Sequence, residues 1–339
     1  MSKYGLEFLA NKHPYIFIKL DKKFLKTLIN EAVNNKENPI TSKSFAIKLD
    51  CKYNHKWGIC TAVRNWYSGS TSMPLWALDK ILHLTKYSWK DAEKHLIWLK
   101  AGQQKGEISP KLPFETNREF GSIVGHILGD GSINYKYKQV FFSNTDPDLL
   151  LEFAKCMESI FGIKPRIWIQ KISKYEEKRE WLKRVNSLNQ IPRNHPVGLF
   201  YPRICGLVLH AIFGEFASGK AKSVTSEIRR TKDEFKSALV RAFFDDEATV
   251  YVSSHTIRVF QDDITILNAV QEILFGFGIT NNQIHYYIKR GKRRHYFNIS
   301  GYGNFVKFYN KISFTSKRKL LALRKLISSN KKHFKPYKN

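Results

Sequence analysis

Two stretches place carboxylates where the surrounding pattern frees them for chemistry: EFGSIVGHILGDG, Glu119–Gly131, and FKSALVRAFFDDEA, Phe235–Ala248. Each reads as a helix ending in an acid. Phe120, Ile123, Val124, Ile127 and Leu128 form one apolar stripe at helical period. Thr116 with Glu119, and Thr231 with Glu234, give the T-x-x-E pattern of a reciprocal N-terminal cap. Gly125 and Gly129 lie four apart on a single face, and each costs a helix interior about 1 kcal/mol against alanine. Their spacing implies that another backbone comes close, and Ala242 stands at the matching place in the second helix. Packed there, the helices bring Asp130 beside Glu247. An acid at a helix C-terminus meets roughly half a negative charge, and a second acid adds repulsion. A divalent cation would relieve both, held by Asp130 and Glu247 and by the last free carbonyls, of Gly129 and Asp246. The bland alternative is two core helices with solvated acids at their tips. Recurrence of the pattern after 247 − 130 = 117 residues weighs against it.

Those residues resemble a known family. IVGHILGDG, Ile123–Gly131, and VRAFFDDEA, Val240–Ala248, are similar to the two nine-residue signatures of the LAGLIDADG homing endonucleases, with Glu247 in the acidic place. The likeness runs over about 120–325. It implies a sequence-specific endonuclease that hydrolyses both strands of duplex DNA and leaves a staggered break. It also implies Mg²⁺ as cofactor, with Mn²⁺ as a possible substitute, and two or more ions about 4 Å apart. Asp130 and Glu247 would then be ligands, one per strand cut. Asn144 and Gln261 would be the polar residues around the active water, and Lys220 and Lys317 the lysines near each centre. Ala242 and Ala248 depart from the family's glycines, and alanine still suits a helix interface. Asp245 is expected to solvate the helix end, and Asp246 to offer only its carbonyl. His126 is expected as a packed or half-exposed core residue.

The elements that must position these groups repeat. Asn144 to Gln261 is 117 residues and Gly162 to Gly278 is 116, a constant shift that marks an internal duplication. The expected fold class is α+β: two αββαββα halves, 116–230 and 231–339, with Lys171–Arg193 a charged insertion in the first and Ser316–Ser329 a last helix. Each half offers four antiparallel strands with one face free. Polar and aromatic residues alternate there: Asn134, Lys136 and Lys138, then Trp168 and Gln170, then His285, Tyr287 and Lys289. Lys289, Arg290, Lys292, Arg293 and Arg294 make a cationic tip. Two curved sheets would form a saddle for a duplex, strands reading base edges and tips holding phosphates. Because the halves differ, the site should be long and non-palindromic, and the protein a monomer.

Residues 1–101 read as an all-helical domain resembling the helix-turn-helix of repressor-like proteins, followed by a linker over 102–115. Trp66 would anchor its core, with Thr61, Arg64 and Asn65 facing a major groove; a plain helical cap is the alternative. Cys51-x3-His55-x4-Cys60 could supply three zinc ligands but lacks a fourth, and the four cysteines read as reduced.

Charge supports a polyanionic partner. Lys+Arg 57 against Asp+Glu 29 gives +28, spread along the chain, while 42 % hydrophobic residues suffice for real cores. No apolar run reaches the ~18 residues of a membrane span, and Met1–Lys12 lacks the apolar core of a signal peptide. The expectation is a soluble, cytoplasmic, nucleoid-associated protein with no membrane partner. A non-cleaving DNA-binding regulator and an intron RNA maturase are the rival readings on this scaffold. An intein is not expected, since the chain opens with Met1 and lacks a terminal His-Asn pair.

Overall fold

The computed structural model describes residues 3–34, 38–102, 106–170, 181–185, 187, 195–218, 221–289 and 291–331. The chain divides into two compact units. One comprises Met1–Glu115 with Phe161–Ile163 and Pro202–Ile212; the other comprises Thr116–Ile160, Lys164–Tyr201 and Phe213–Asn339.

The first unit is mixed, not all-helical. Ile16–Leu20 lies between Met73–Pro74 and Leu96–Ala101 in an antiparallel sheet. Ile16, Ile18 and Leu20 turn inward at period two, against Leu99, Ala101 and Met73. The helix Trp89–Lys94 opens with Ser88 and Asp91 in a capping box, and the chain then turns into the strand Leu96–Ala101. Gly102–Pro113 is not a free linker either. Ile108 is fully buried and exchanges backbone hydrogen bonds with Leu99 at 2.8 and 2.9 Å.

The helix-turn-helix stretch has helices Lys43–Lys48 and Thr61–Ser68, with a short hairpin, Tyr53–Asn54 and Ile59–Cys60, between them. Ser42 caps the former, accepting from Phe45 N. Val63 and Trp66 are buried, Thr61 and Arg64 exposed, and Asn65 half-buried. The zinc reading is not supported. All four cysteines are free, and among the described residues no three His, Cys, Asp or Glu side chains converge as metal ligands would.

In the second unit the first motif helix is Arg118–Leu128 and the second is Asp233–Glu247. Their caps differ from expectation. Asn117, not Thr116, accepts from Phe120 N at 3.1 Å; Thr231 donates to Ile228 O at 2.7 Å, and Lys232 precedes the second helix without a side-chain cap. The glycine face is longer than the pair read from sequence. A Cβ on Gly121 would meet Phe235 O at 2.2 Å, and one on Gly125 would meet Leu239 O at 2.3 Å and the Ala242 Cβ at 2.8 Å. One on Gly129 would meet Asp246 Oδ2 at 2.6 Å. Gly121 and Gly125 therefore let two backbones touch one turn apart, and Gly129 makes room for the Asp246 side chain.

The duplication is visible in strand order. In the first sheet Ser132–Ile133, Val140–Asn144, Val197–Tyr201 and Arg166–Gln170 are neighbours in that order. In the second the order is Ala248–Tyr251, Thr256–Gln261, Lys292–Ser300 and His285–Lys289. Both halves thus run first, second, fourth, third. The insertion adds a fifth strand to the first half, Trp181–Val185, paired with Arg166–Gln170. Asn134, Lys136 and Lys138, expected on a strand face, instead lie in the loop between the first two strands.

Candidate active site

Asp130 follows the first motif helix directly and Glu247 is the last residue of the second. The glycine face fixes how closely these ends approach. Each carboxyl is crowded by protein and by the other acids. Burial first, then the charge of Asp246, push Asp130 up to about 7. Burial first, then the charges of Asp130 and Asp246, push Glu247 up to about 8. Solvent reaches Asp130, so water screens part of its penalty. Nearby cations offset only part of this penalty, which leaves an environment that a divalent cation fits.

Among the described residues no three His, Cys, Asp or Glu side chains converge to hold a metal by themselves.

Two half-buried lysines cover the helix ends in parallel. Lys222 donates to Leu128 O at 3.2 Å and to Gly129 O; Lys319 donates to Phe244 O at 3.1 Å and to Asp245 O. Burial pulls both ammonium groups below their usual range, opposed by the surrounding acids. Sequence reading named Lys220 and Lys317 for this place, each two residues earlier in the chain. Lys220 lies outside the described residues, and Lys317 is 82 % exposed and pairs with Asp148 at 3.2 Å. Because Lys222 occupies the Gly129 carbonyl, only that oxygen's second lone pair is open to a cation.

Asn144 belongs to the centre. Its Nδ2 donates to Asp130 Oδ2 at 3.0 Å and Asp246 Oδ1 at 3.3 Å, while its Oδ1 accepts from Thr145 N and Asp146 N. Gln261, its counterpart, accepts from Asp262 N at 2.8 Å. Asp246 is turned inward, its carboxylate closed to solvent and bound by His126 Nδ1 at 3.0 Å. Its side chain is therefore closed to a further ligand. Asp245 corrects the expectation of a solvated acid: it is buried and accepts from Thr315 N at 2.8 Å and Ser316 N at 3.1 Å. These bonds fix the entry to the helix Lys317–Lys331, which carries Lys319.

The sheet faces carry the residues expected at a nucleic acid, with changes. Trp168 and Gln170 alternate with buried Ile167 and Ile169. Lys136 is exposed on the loop, and Lys138 pairs with Glu215 at 2.9 Å. In the second sheet the register places Tyr287, Lys289, Lys292 and Arg294 on one face and Arg293 on the other. Arg294 pairs with Asp262 at 2.9 Å, and its charge also reaches Glu247. Arg290 lies outside the described residues. Sequence reading missed Arg258, which stacks over Tyr296 at 4.6 Å and Tyr251 at 5.5 Å on the same face as Tyr287. The alternation of Arg258 and Phe260 with buried Ile257 and Val259 was the available signal.

Residues 119–193 and 234–313 match the family model for the LAGLIDADG-like domain. The replication factor C small subunit of Thermococcus kodakarensis is 27 % identical over 208 residues, 60 % of this chain. The match spans 20 % of that protein's length. Among solved structures, the homing endonuclease I-DmoI in complex with DNA and Mn aligns at 17 % identity, over 58 % of this chain and 97 % of that one, with TM-score 0.40. Full-length DUF199/WhiA from Thermatoga maritima aligns at 13 % identity, over 65 % and 63 %, with TM-score 0.39. The two matched segments each cover one motif helix, and these helices meet through their glycine face: the chain carries the LAGLIDADG-like domain in two segments.

Proposed function

We propose that this protein is a divalent-metal-dependent endonuclease that cuts both strands of duplex DNA at a long, non-palindromic site. The observation that carries the reading is the pair of crowded acids, Asp130 and Glu247, at the meeting ends of the motif helices, each pushed toward protonation. A binding protein gains nothing from that electrostatic cost; a cation site uses it.

Asp130 and Glu247 would hold Mg²⁺, or Mn²⁺ in its place, with the Asp246 carbonyl and the free lone pair of the Gly129 carbonyl as further oxygens. When bound, the metal supplies positive charge that polarises the phosphate and acidifies the attacking water. The chain's residues do the rest. Asn144 orients the Asp130 carboxylate, and Gln261 is its counterpart beside Glu247. Lys222 and Lys319 hold fixed positive charge at the helix ends, where negative charge grows on the phosphate during hydrolysis. Lys136, Trp168, Gln170, Tyr287, Lys289, Lys292, Arg258 and Arg294 present cations and aromatic surface to a duplex. Thr61 and Arg64, with Asn65, are a further DNA contact on the first unit.

Cleavage of a randomised plasmid library in Mg²⁺ tests this, comparing the wild type with Asp130→Asn and Glu247→Gln. Linear product from the wild type, abolished in both variants, is the expected result. Specific duplex binding without any wild-type cutting would instead favour a regulator, and binding of RNA alone a maturase.

A further inference from the structure

Behind the first-half centre lies a polar chain that the second half does not repeat. His126 is fully buried; its Nδ1 contacts Asp246 Oδ2 at 3.0 Å, and its Nε2 lies 3.6 Å from Glu152 Oε2. Ser122 Oγ donates to Glu152 Oε1 at 2.9 Å. Phe142 and Phe153 flank the imidazole at ring-centroid distances of 4.7 and 5.8 Å. Burial alone would pull His126 toward the neutral form, but Asp246 and Glu152 outweigh it and hold it as imidazolium. The shift of 117 residues maps Ser122, His126, Phe142, Glu152 and Phe153 onto Leu239, Phe243, Val259, Ala269 and Val270. Every polar member has an apolar counterpart. The chain's endpoint is unique as well, because Asp246 corresponds to Gly129.

An aliphatic residue at position 126 would pack as well as Phe243 does, so packing does not explain a buried histidine with an acid on each side. What the chain does is hold one carboxylate. Asp246 Oδ2 also accepts from Asp130 N at 3.4 Å, and its Oδ1 accepts from the Asn144 amide that orients Asp130. Without the His126 contact, Asp246 Oδ2 would lose its 3.0 Å bond and keep the 3.4 Å bond from Asp130 N, and the carboxylate could rotate away from Asn144.

We infer that Glu152 and His126 are positioning residues that pin the Asp246 carboxylate against Asn144 and the Asp130 backbone, ordering the Asp130 centre but not the Glu247 centre. The two centres are therefore unequal by construction, and the strand served by Asp130 is cut first. This rests on the nuclease reading for its strand order, while the pinning itself is independent of cleavage.

The test uses the full chain with His126→Phe/Glu152→Ala, which installs the second half's own residues and fills the space, and with His126→Gln, which keeps an N–H donor. Amide hydrogen exchange at Asp130, read by NMR without metal, reports the pinning. The double variant should exchange there at least 10-fold faster than wild type, with amides elsewhere in the first motif helix unchanged, and His126→Gln should recover most of the protection. Single-turnover cleavage of an end-labelled duplex reports strand order. The double variant should lose about 10-fold or more on the first-cut strand and under threefold on the other, with metal-free duplex affinity within twofold of wild type. Unchanged Asp130 exchange overturns the pinning, and equal loss on both strands overturns the asymmetry. A wild type that cuts neither strand defeats the nuclease reading instead, and leaves the exchange result to decide the pinning.

Discussion

Gly125→Ala tests whether the contact between the motif helices governs the catalytic ends. The added Cβ would lie 2.3 Å from Leu239 O and 2.8 Å from the Ala242 Cβ, whereas ordinary contact begins at 3.4 Å. Both obstacles are backbone or backbone-attached, so no side chain can swing away, and the helices must part locally by 3.4 − 2.3 = 1.1 Å. Overpacking of this kind costs about 1–3 kcal/mol, and the alanine returns about 1 kcal/mol of helix propensity. The net loss of stability is then about 0–2 kcal/mol, read from urea unfolding at unchanged m-value. The functional loss should be larger. Displacing reacting groups by about 1 Å costs on the order of a hundredfold in rate, because Asp130 follows Gly125 by little more than one turn. Gly276→Ala is the control, since a Cβ there meets nothing within 4 Å; it should leave cleavage unchanged and stability equal or slightly raised. A Gly125→Ala protein with wild-type stability and wild-type cleavage would refute the reasoning.

Three further outcomes follow from the site. In metal-free protein Asp130 and Glu247 stand at about 7 and 8, above their ordinary 3.8 and 4.5. Their contribution to stability is therefore fully present below the ordinary values and is lost as pH rises through 7 to 8. Mg²⁺ should offset that loss, so calorimetry should show a larger Mg²⁺-induced rise in Tm at pH 9 than at pH 5, and equal rises would count against a cation at these acids. Asp245→Ala leaves the Thr315 and Ser316 amides without their acceptor and should cost about 2–4 kcal/mol in urea unfolding; a cost below about 0.5 kcal/mol would mean that the bond is dispensable. Arg258→Ala should weaken duplex binding about 10-fold in fluorescence anisotropy, and should reduce the salt slope by about 0.9 if the guanidinium neutralises one phosphate.

The motif helices, the duplication and the acid pair could be read from the sequence because each leaves a local trace: a stripe at helical period, a constant shift, a glycine spacing. Gly121 carried the same trace one turn earlier and extends the face already indicated by Gly125 and Gly129. The lysines could not be read this way. Lys220 and Lys222, and Lys317 and Lys319, sit in equally basic surroundings, and which of each pair reaches the helix end depends on the path of a turn. Asp245 and Asp246 are adjacent and chemically alike, yet successive helix positions point about 100° apart. One therefore meets the amides before Lys317, and the other meets His126. The first unit was misread as helical for a different reason. Its sheet joins Ile16–Leu20 to strands from residues 73 and 96 onward, and pairing at that distance leaves no mark on the local pattern.

The most direct measurement is the anomalous scattering of Mn²⁺ in crystals of the protein with its cleavage-site duplex. Peaks within about 2.0–2.6 Å of carboxylate oxygens of both Asp130 and Glu247 are the predicted result. Mn²⁺ bound only elsewhere, with both acids free of metal, would contradict the account.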